Sequence, residues 1–218
     1  MEENSQEENQ EIDIDLTVEL SKYDQEVGQR GDQARDLLYK FDKNPNNFRY
    51  AIQILEATQT PVQIRVHAIG SLKTLVLEHW GDISDEEREQ YRNFIVEFVF
   101  KYGSEKIIES PVLLGGDLAL VGLLIQEWPE NFTNIFEMFI EKAQANEFAC
   151  GHYIQMIRLF CQQVIESNED QLTYSQKLKL INCLQDQAEN IYKFLETVLT
   201  GTDDSDLIKI GLSTLKYF

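Results

Sequence analysis

The sequence predicts an all-α fold, an open α-solenoid assembled from helix pairs. Three observations carry this. Apolar residues recur at helical spacing along nearly the whole chain, and no stretch sustains the alternation of a strand. Prolines and short polar stretches cut the pattern into about ten runs. The first runs of successive pairs begin near residues 12, 47, 85, 130 and 173, a period of about 40 residues.

Residues 1–11, MEENSQEENQE, hold five Glu and no Lys or Arg, so they are expected to form a disordered acidic tail. Residues 12–218 are the predicted repeat segment. In IDIDLTVELSKY the apolar positions are Ile12, Leu16, Leu20 and Tyr23. DQARDLLYKFDKNP offers Ala34, Leu37, Leu38 and Phe41 before Pro45 stops it, and NNFRYAIQILEA follows with Phe48, Ala51, Ile52 and Leu55. Pro61 opens a long helix to Trp80, in the first-turn position proline tolerates best. Ser84 with Glu87 is a capping box and starts a helix that Gly103 ends. Pro111 opens the next, through VLLGGDLALVGLLIQEW. The runs NFTNIFEMFIEKAQ, EFACGHYIQMIRLFCQQVIE, TYSQKLKLINCLQDQAENIYKFLETVLT and SDLIKIGLSTLKYF complete the chain.

Helix pairs at this period are the mark of HEAT or armadillo repeats. Each pair is too thin to bury its apolar face alone, so neighbours stack, here as about five pairs in a right-handed superhelical array. Trp128 and Pro129 mark the junction between pairs: the residue before proline is disfavoured in a helix, and proline cannot continue one. The next helix is expected to start at once, near residue 130. Trp80, Trp128 and Pro129 are the expected repeat anchors. The last run reaches Phe218 still amphipathic, which gives the expectation of an array truncated at its C-terminus.

Chemistry-bearing motifs are scarce. The sequence contains no G-x-S-x-G, H-E-x-x-H, Walker loop or G-x-G-x-x-G, and an enzyme is not expected. The Gly pair in LLGGDLAL follows no strand, so it is not read as a phosphate cradle. His67, His79 and His152 are scattered over different helices. Cys150, Cys161 and Cys183 lack metal-type spacing and are read as buried reduced thiols. No metal or cofactor is assigned. The net charge of −19 repels nucleic acid and anionic lipid and favours basic protein surfaces. With no signal peptide and no apolar run of about 18 residues, the chain is expected to be soluble and intracellular, without a membrane span. The Asn131 sequon is therefore not expected to be glycosylated.

Three stretches carry a resemblance. QEWPENFTNIFEMFI resembles the Gln-Glu-Trp-Pro segment found early in the exportins of the importin-β superfamily. AIGSLKTLVLEHW resembles the helix that precedes that segment, and GQRGDQARDLLYKFDKNPNNF resembles the family's first-repeat B helix. The chain departs from the family at Phe132-Thr133, where a second Trp-Pro is usual, and at Gly115-Gly116, where the start usually contains Lys.

The resemblance implies the N-terminal HEAT segment of a nuclear export receptor. Its B helices would line a concave face and bind the small GTPase Ran in its GTP form. Cargo bearing a nuclear export signal would sit on later repeats, nucleoporins would be further partners, and the protein would shuttle between nucleus and cytoplasm. On the helix from Val62 to Trp80, the residues Val62, Val66, Ile69, Leu72, Leu75 and Val76 form an apolar face. Gln63, His67, Ser71, Thr74 and Glu78 lie opposite and are expected to be exposed. With Asp117 and Gln126 on the next B helix they form the candidate Ran-binding set. Gly115, Ala119 and Gly122 make a small-residue stripe suited to close approach by a neighbouring repeat. The alternatives are another importin-β-type receptor, either an importer or a different exportin, and an α-solenoid scaffold independent of Ran.

Overall fold

A computed structural model describes residues 47–57, 60–168 and 172–218, together with positions 32, 36, 39 and 40. The acidic tail, the run from Ile12 to Tyr23, and the apolar positions Ala34, Leu37, Leu38 and Phe41 lie outside the described residues. Among those described there is no strand, and eight α-helices have defined bounds. The fold is all-α, of HEAT-type helix pairs.

The helices are α1 (Phe48–Glu56), α2 (Val62–Thr74), α3 (Asp85–Gly103), α4 (Ser110–Glu127), α5 (Ile135–Ala143), α6 (Glu147–Glu166), α7 (Tyr174–Gly201) and α8 (Ser205–Leu215). Each odd-numbered helix packs on the even-numbered one that follows it. Four pairs are therefore defined among the described residues, with first helices starting at 48, 85, 135 and 174.

The chain divides into two compact units, one ending at Leu75 and the other running from Val76 to Phe218. In the first, α1 buries Phe48, Ala51, Ile54 and Leu55, and α2 buries Ile64, Ala68, Ile69 and Leu72. In the second, α3, α5 and α7 are the first helices of their pairs, and α4, α6 and α8 the second. The second helices also pack on one another, α4 on α6 and α6 on α8. Stacking of this kind gives each thin pair the burial it cannot provide alone.

Local chemistry sets the helix starts. The Ser84 and Thr173 side chains accept from the backbone N–H groups of Glu87 and Gln176, whose own side chains return the bond, so both are complete capping boxes. Asn146 caps α6 by accepting from Ala149 N at 2.8 Å, and its amide reaches back to Ser104 O at 2.9 Å. One side chain thus starts α6 and ties it to the end of α3.

The core of the second unit is aromatic. The Trp128 ring meets Phe136 and Phe160 edge-on, with centroids 5.4 and 5.5 Å apart. Phe139 and Phe100 flank Tyr153 at 5.8 and 5.7 Å. Contacts of this type add about 0.5–1.5 kcal/mol each beyond the area they bury. They join α3, α5, α6 and the residue that follows α4.

Several expectations are corrected. No helix begins near residue 130: residues 128–134 form a turn, with a cis Trp128–Pro129 peptide, before α5 starts at Ile135. The long helix opened by Pro61 changes form, with a π-helical turn over Leu75–His79 after α2. Gly103 ends α3 as expected, as its last residue. Its role is contact, since a Cβ there would lie 2.3 Å from His152 Nε2. Cys161 is buried, but Cys150 and Cys183 are only half-buried. Finally, α4 is long and apolar enough to cross a membrane. Its burial accounts for that composition, because eleven of its residues, Val112 and Leu124 among them, are packed inside the unit.

Candidate partner-binding surface

The even-numbered helices carry the residues that the sequence assigns to a partner, and the structure separates these into two groups. On α2, Gln63 is exposed and His67, one turn on, is half-exposed. Ser71 and Thr74 are buried, at 0% and 8% exposure, which corrects the expectation that they face solvent. The cause lies in the width of the buried face. Ile64 and Ala68 are buried too, and Ser71 continues their row at i+4 and i+3 spacing. Ser71 Oγ donates to His67 O at 3.2 Å, so its hydroxyl is satisfied inside the helix.

In the second unit, Glu78 is exposed in the π-helical turn and Gln126 is exposed near the end of α4. Asp117 is buried at 4%. In the small-residue stripe, Gly122 admits a neighbouring side chain, since a Cβ there would meet Val76 at 3.0 Å; next to the stripe, a Cβ at Gly116 would meet Phe98 at 3.0 Å.

Asp117 instead faces His152 across the α4–α6 contact, with Oδ1 3.5 Å from Nε2 and each side chain 6% exposed. Neither of those atoms has a hydrogen-bond partner. Burial pushes the Asp117 carboxyl up to about 8 and the His152 imidazole down to about 4. Although the spacing is that of an ion pair, desolvation governs both groups. Both shifts favour the neutral form of each group over an ion pair. Two apolar helices can accommodate the pair in that form.

A second polar cluster was also not foreseen. Glu127, 8% exposed, accepts from Trp80 Nε1 at 2.9 Å and from two nitrogens of Arg92. This fork links α3 to the end of α4 and fixes Trp80. The bond to Glu127 holds the Arg92 guanidinium above its ordinary range. Neither cluster has a local motif, since the partners lie 35 and 47 residues apart in one and 35 in the other. Trp128 and Pro129 stand beside this region, Trp128 in the aromatic core and Pro129 half-buried.

No group of three or more His, Cys, Asp or Glu side chains suited to a metal occurs among the described residues. What remains is an all-α pair-repeat protein whose second helices offer scattered polar positions.

Comparison with known proteins places this class. The model of the family described as Exportin 1-like protein matches residues 109–218, and that of the Importin-beta N-terminal domain matches residues 34–101. The chain belongs to the exportin-1-like family of the importin-β superfamily. It is 27% identical over 212 residues to Exportin-1 of Schizosaccharomyces pombe, covering 95% of this chain and 20% of that protein. Against Exportin-1 of Dictyostelium discoideum it is 24% identical, covering 85% and 18%. Against Protein EXPORTIN 1A of Arabidopsis thaliana it is 23% identical, covering 84% and 17%. The chain spans about a fifth of the length of these relatives.

Proposed function

We propose that this chain is the N-terminal part of a nuclear export receptor that binds Ran-GTP through its even-numbered helices. The observation that carries the reading is the order of the two family matches, an importin-β N-terminal domain followed by exportin-1-like sequence. Gln63, His67, Glu78 and Gln126 are the contact candidates that stay at least partly exposed. Ser71, Thr74 and Asp117 leave the set as direct contacts, because a protein partner cannot reach buried side chains. The −19 charge fits a basic partner and speeds its approach by long-range attraction.

The mechanism is linkage rather than catalysis. Ran-GTP and cargo favour the same arrangement of the whole receptor, so each tightens the other, and hydrolysis on Ran releases both. Cargo with a nuclear export signal sits on repeats outside this chain, nucleoporins are transient partners, and the receptor moves between nucleus and cytoplasm.

Capture of the 218-residue chain on immobilised Ran tests this. At low salt, retention on Ran loaded with a non-hydrolysable GTP analogue exceeds retention on Ran-GDP, and a Gln63→Ala/Glu78→Lys variant loses most of it. Equal retention on both nucleotide forms would remove Ran from the account.

A further inference from the structure

We propose that the groove between α5 and α7 is a docking site for a basic amphipathic segment of a partner protein. It lies between first helices of neighbouring pairs, whereas the residues proposed for Ran are on second helices and in the π-helical turn after α2. Its success or failure is therefore separate from that reading.

The groove encloses about 700 Å³ and lies wholly within the second unit. Its apolar lining comes from Ile140 and Ala143 of α5, Cys150 of α6, and Phe194 and Val198 of α7. Phe194 and Val198 are one turn apart and remain half-buried rather than closed over. Along α5 the groove runs from Glu137 to Gln144, about 10 Å at the helical rise, which suits two turns of a bound helix.

Charge selects the occupant. Glu137 and Glu141 stand one turn apart on the α5 wall, both exposed, and neither has an ion-pair partner among the described residues. The cation of the opposite wall, Lys193, is already engaged by Glu189 at 2.5 Å. The groove thus presents apolar surface beside two uncompensated carboxylates. A segment with apolar residues at i, i+3, i+4 and i+7, flanked by Lys or Arg, matches both features.

The test uses the 218-residue chain and a fluorescein-labelled 14-residue helical peptide, with Leu at those four positions and Lys on its flanks. Fluorescence anisotropy gives its affinity. A Glu137→Lys/Glu141→Lys variant is expected to bind at least tenfold more weakly. A Glu105→Lys/Asp203→Lys variant makes the same change in net charge away from the groove and is expected to bind within twofold of the parent. Replacing the four Leu by Ser abolishes binding. In a Cys183→Ser background, bound peptide slows alkylation of Cys150. Absence of peptide binding, equal loss in the two charge variants, retained binding of the Ser peptide, or Cys150 alkylation unaffected by peptide would each overturn the proposal.

Discussion

Glu127 and Asp117 are both buried carboxylates on α4, yet their surroundings differ in kind. Glu127 receives a two-nitrogen fork from Arg92 and a bond from Trp80, so its charge is fully paired. Asp117 faces the imidazole of His152 at 3.5 Å with no hydrogen bond between those atoms, and burial favours its neutral form. One site fastens helices by ionic hydrogen bonds. The other is accommodated because it is neutral. Burial alone therefore does not say what an acidic residue does, since the partner brought by the neighbouring helix decides it.

Removing the fork should have the largest effect. Arg92→Met leaves Glu127 buried without its cation and is expected to lower stability by about 3–5 kcal/mol. Adding Glu127→Gln, which keeps an acceptor for Trp80, should recover most of that loss. Urea unfolding followed by the fluorescence of Trp80 and Trp128 measures both. If the single variant matched the parent, the fork would be incidental.

Next is the contact that frames the neutral pair. Gly103→Ala would set a Cβ 2.3 Å from His152 Nε2, the same ring nitrogen that faces buried Asp117. The expected cost is about 1–3 kcal/mol. Combining it with His152→Ala should cost less than the sum of the two single variants, because the clash is then gone.

Of similar size is the pH dependence of the pair. The folded value for Asp117 is raised from 3.8 to about 8, so its contribution is fully present at low pH and is lost as pH rises through 8. His152 is lowered from 6.5 to about 4, so its contribution is present above 6.5 and is lost as pH falls through 4. Between 4 and 6.5 the two slopes oppose, and from 6.5 to 8 the Asp117 slope stands alone. Stability should therefore fall across that upper window by about 2 kcal/mol at roughly 1.4 kcal/mol per pH unit. Asp117→Asn should flatten it, and an unchanged profile would show that Asp117 is ionised in the fold.

Much of the fold was legible because helical periodicity and caps are local. The α6 run, the Ser84–Glu87 box and the proline openings at Pro61 and Pro111 need only neighbours along the chain to be recognised. The turn after Trp128 was not legible, since apolar Phe132 reads as helical but is buried from a loop. Ser71 and Thr74 are not legible as buried, because the buried face of α2 is wider than a simple two-faced reading allows and takes in small polar residues beside Ile64 and Ala68. The two polar clusters were out of reach for a different reason. Arg92, Glu127, Asp117 and His152 are common residue types, and only folding brings them together.

The central claim, that the even-numbered helices bind Ran-GTP, is tested most directly by hydrogen–deuterium exchange on this chain with and without Ran. With Ran-GTP, the account predicts slower exchange in α2, the Leu75–His79 turn and the last turns of α4, unchanged exchange in α5 and α7, and no effect of Ran-GDP. Protection confined to α5 and α7, or equal protection by the two nucleotide forms, would contradict it.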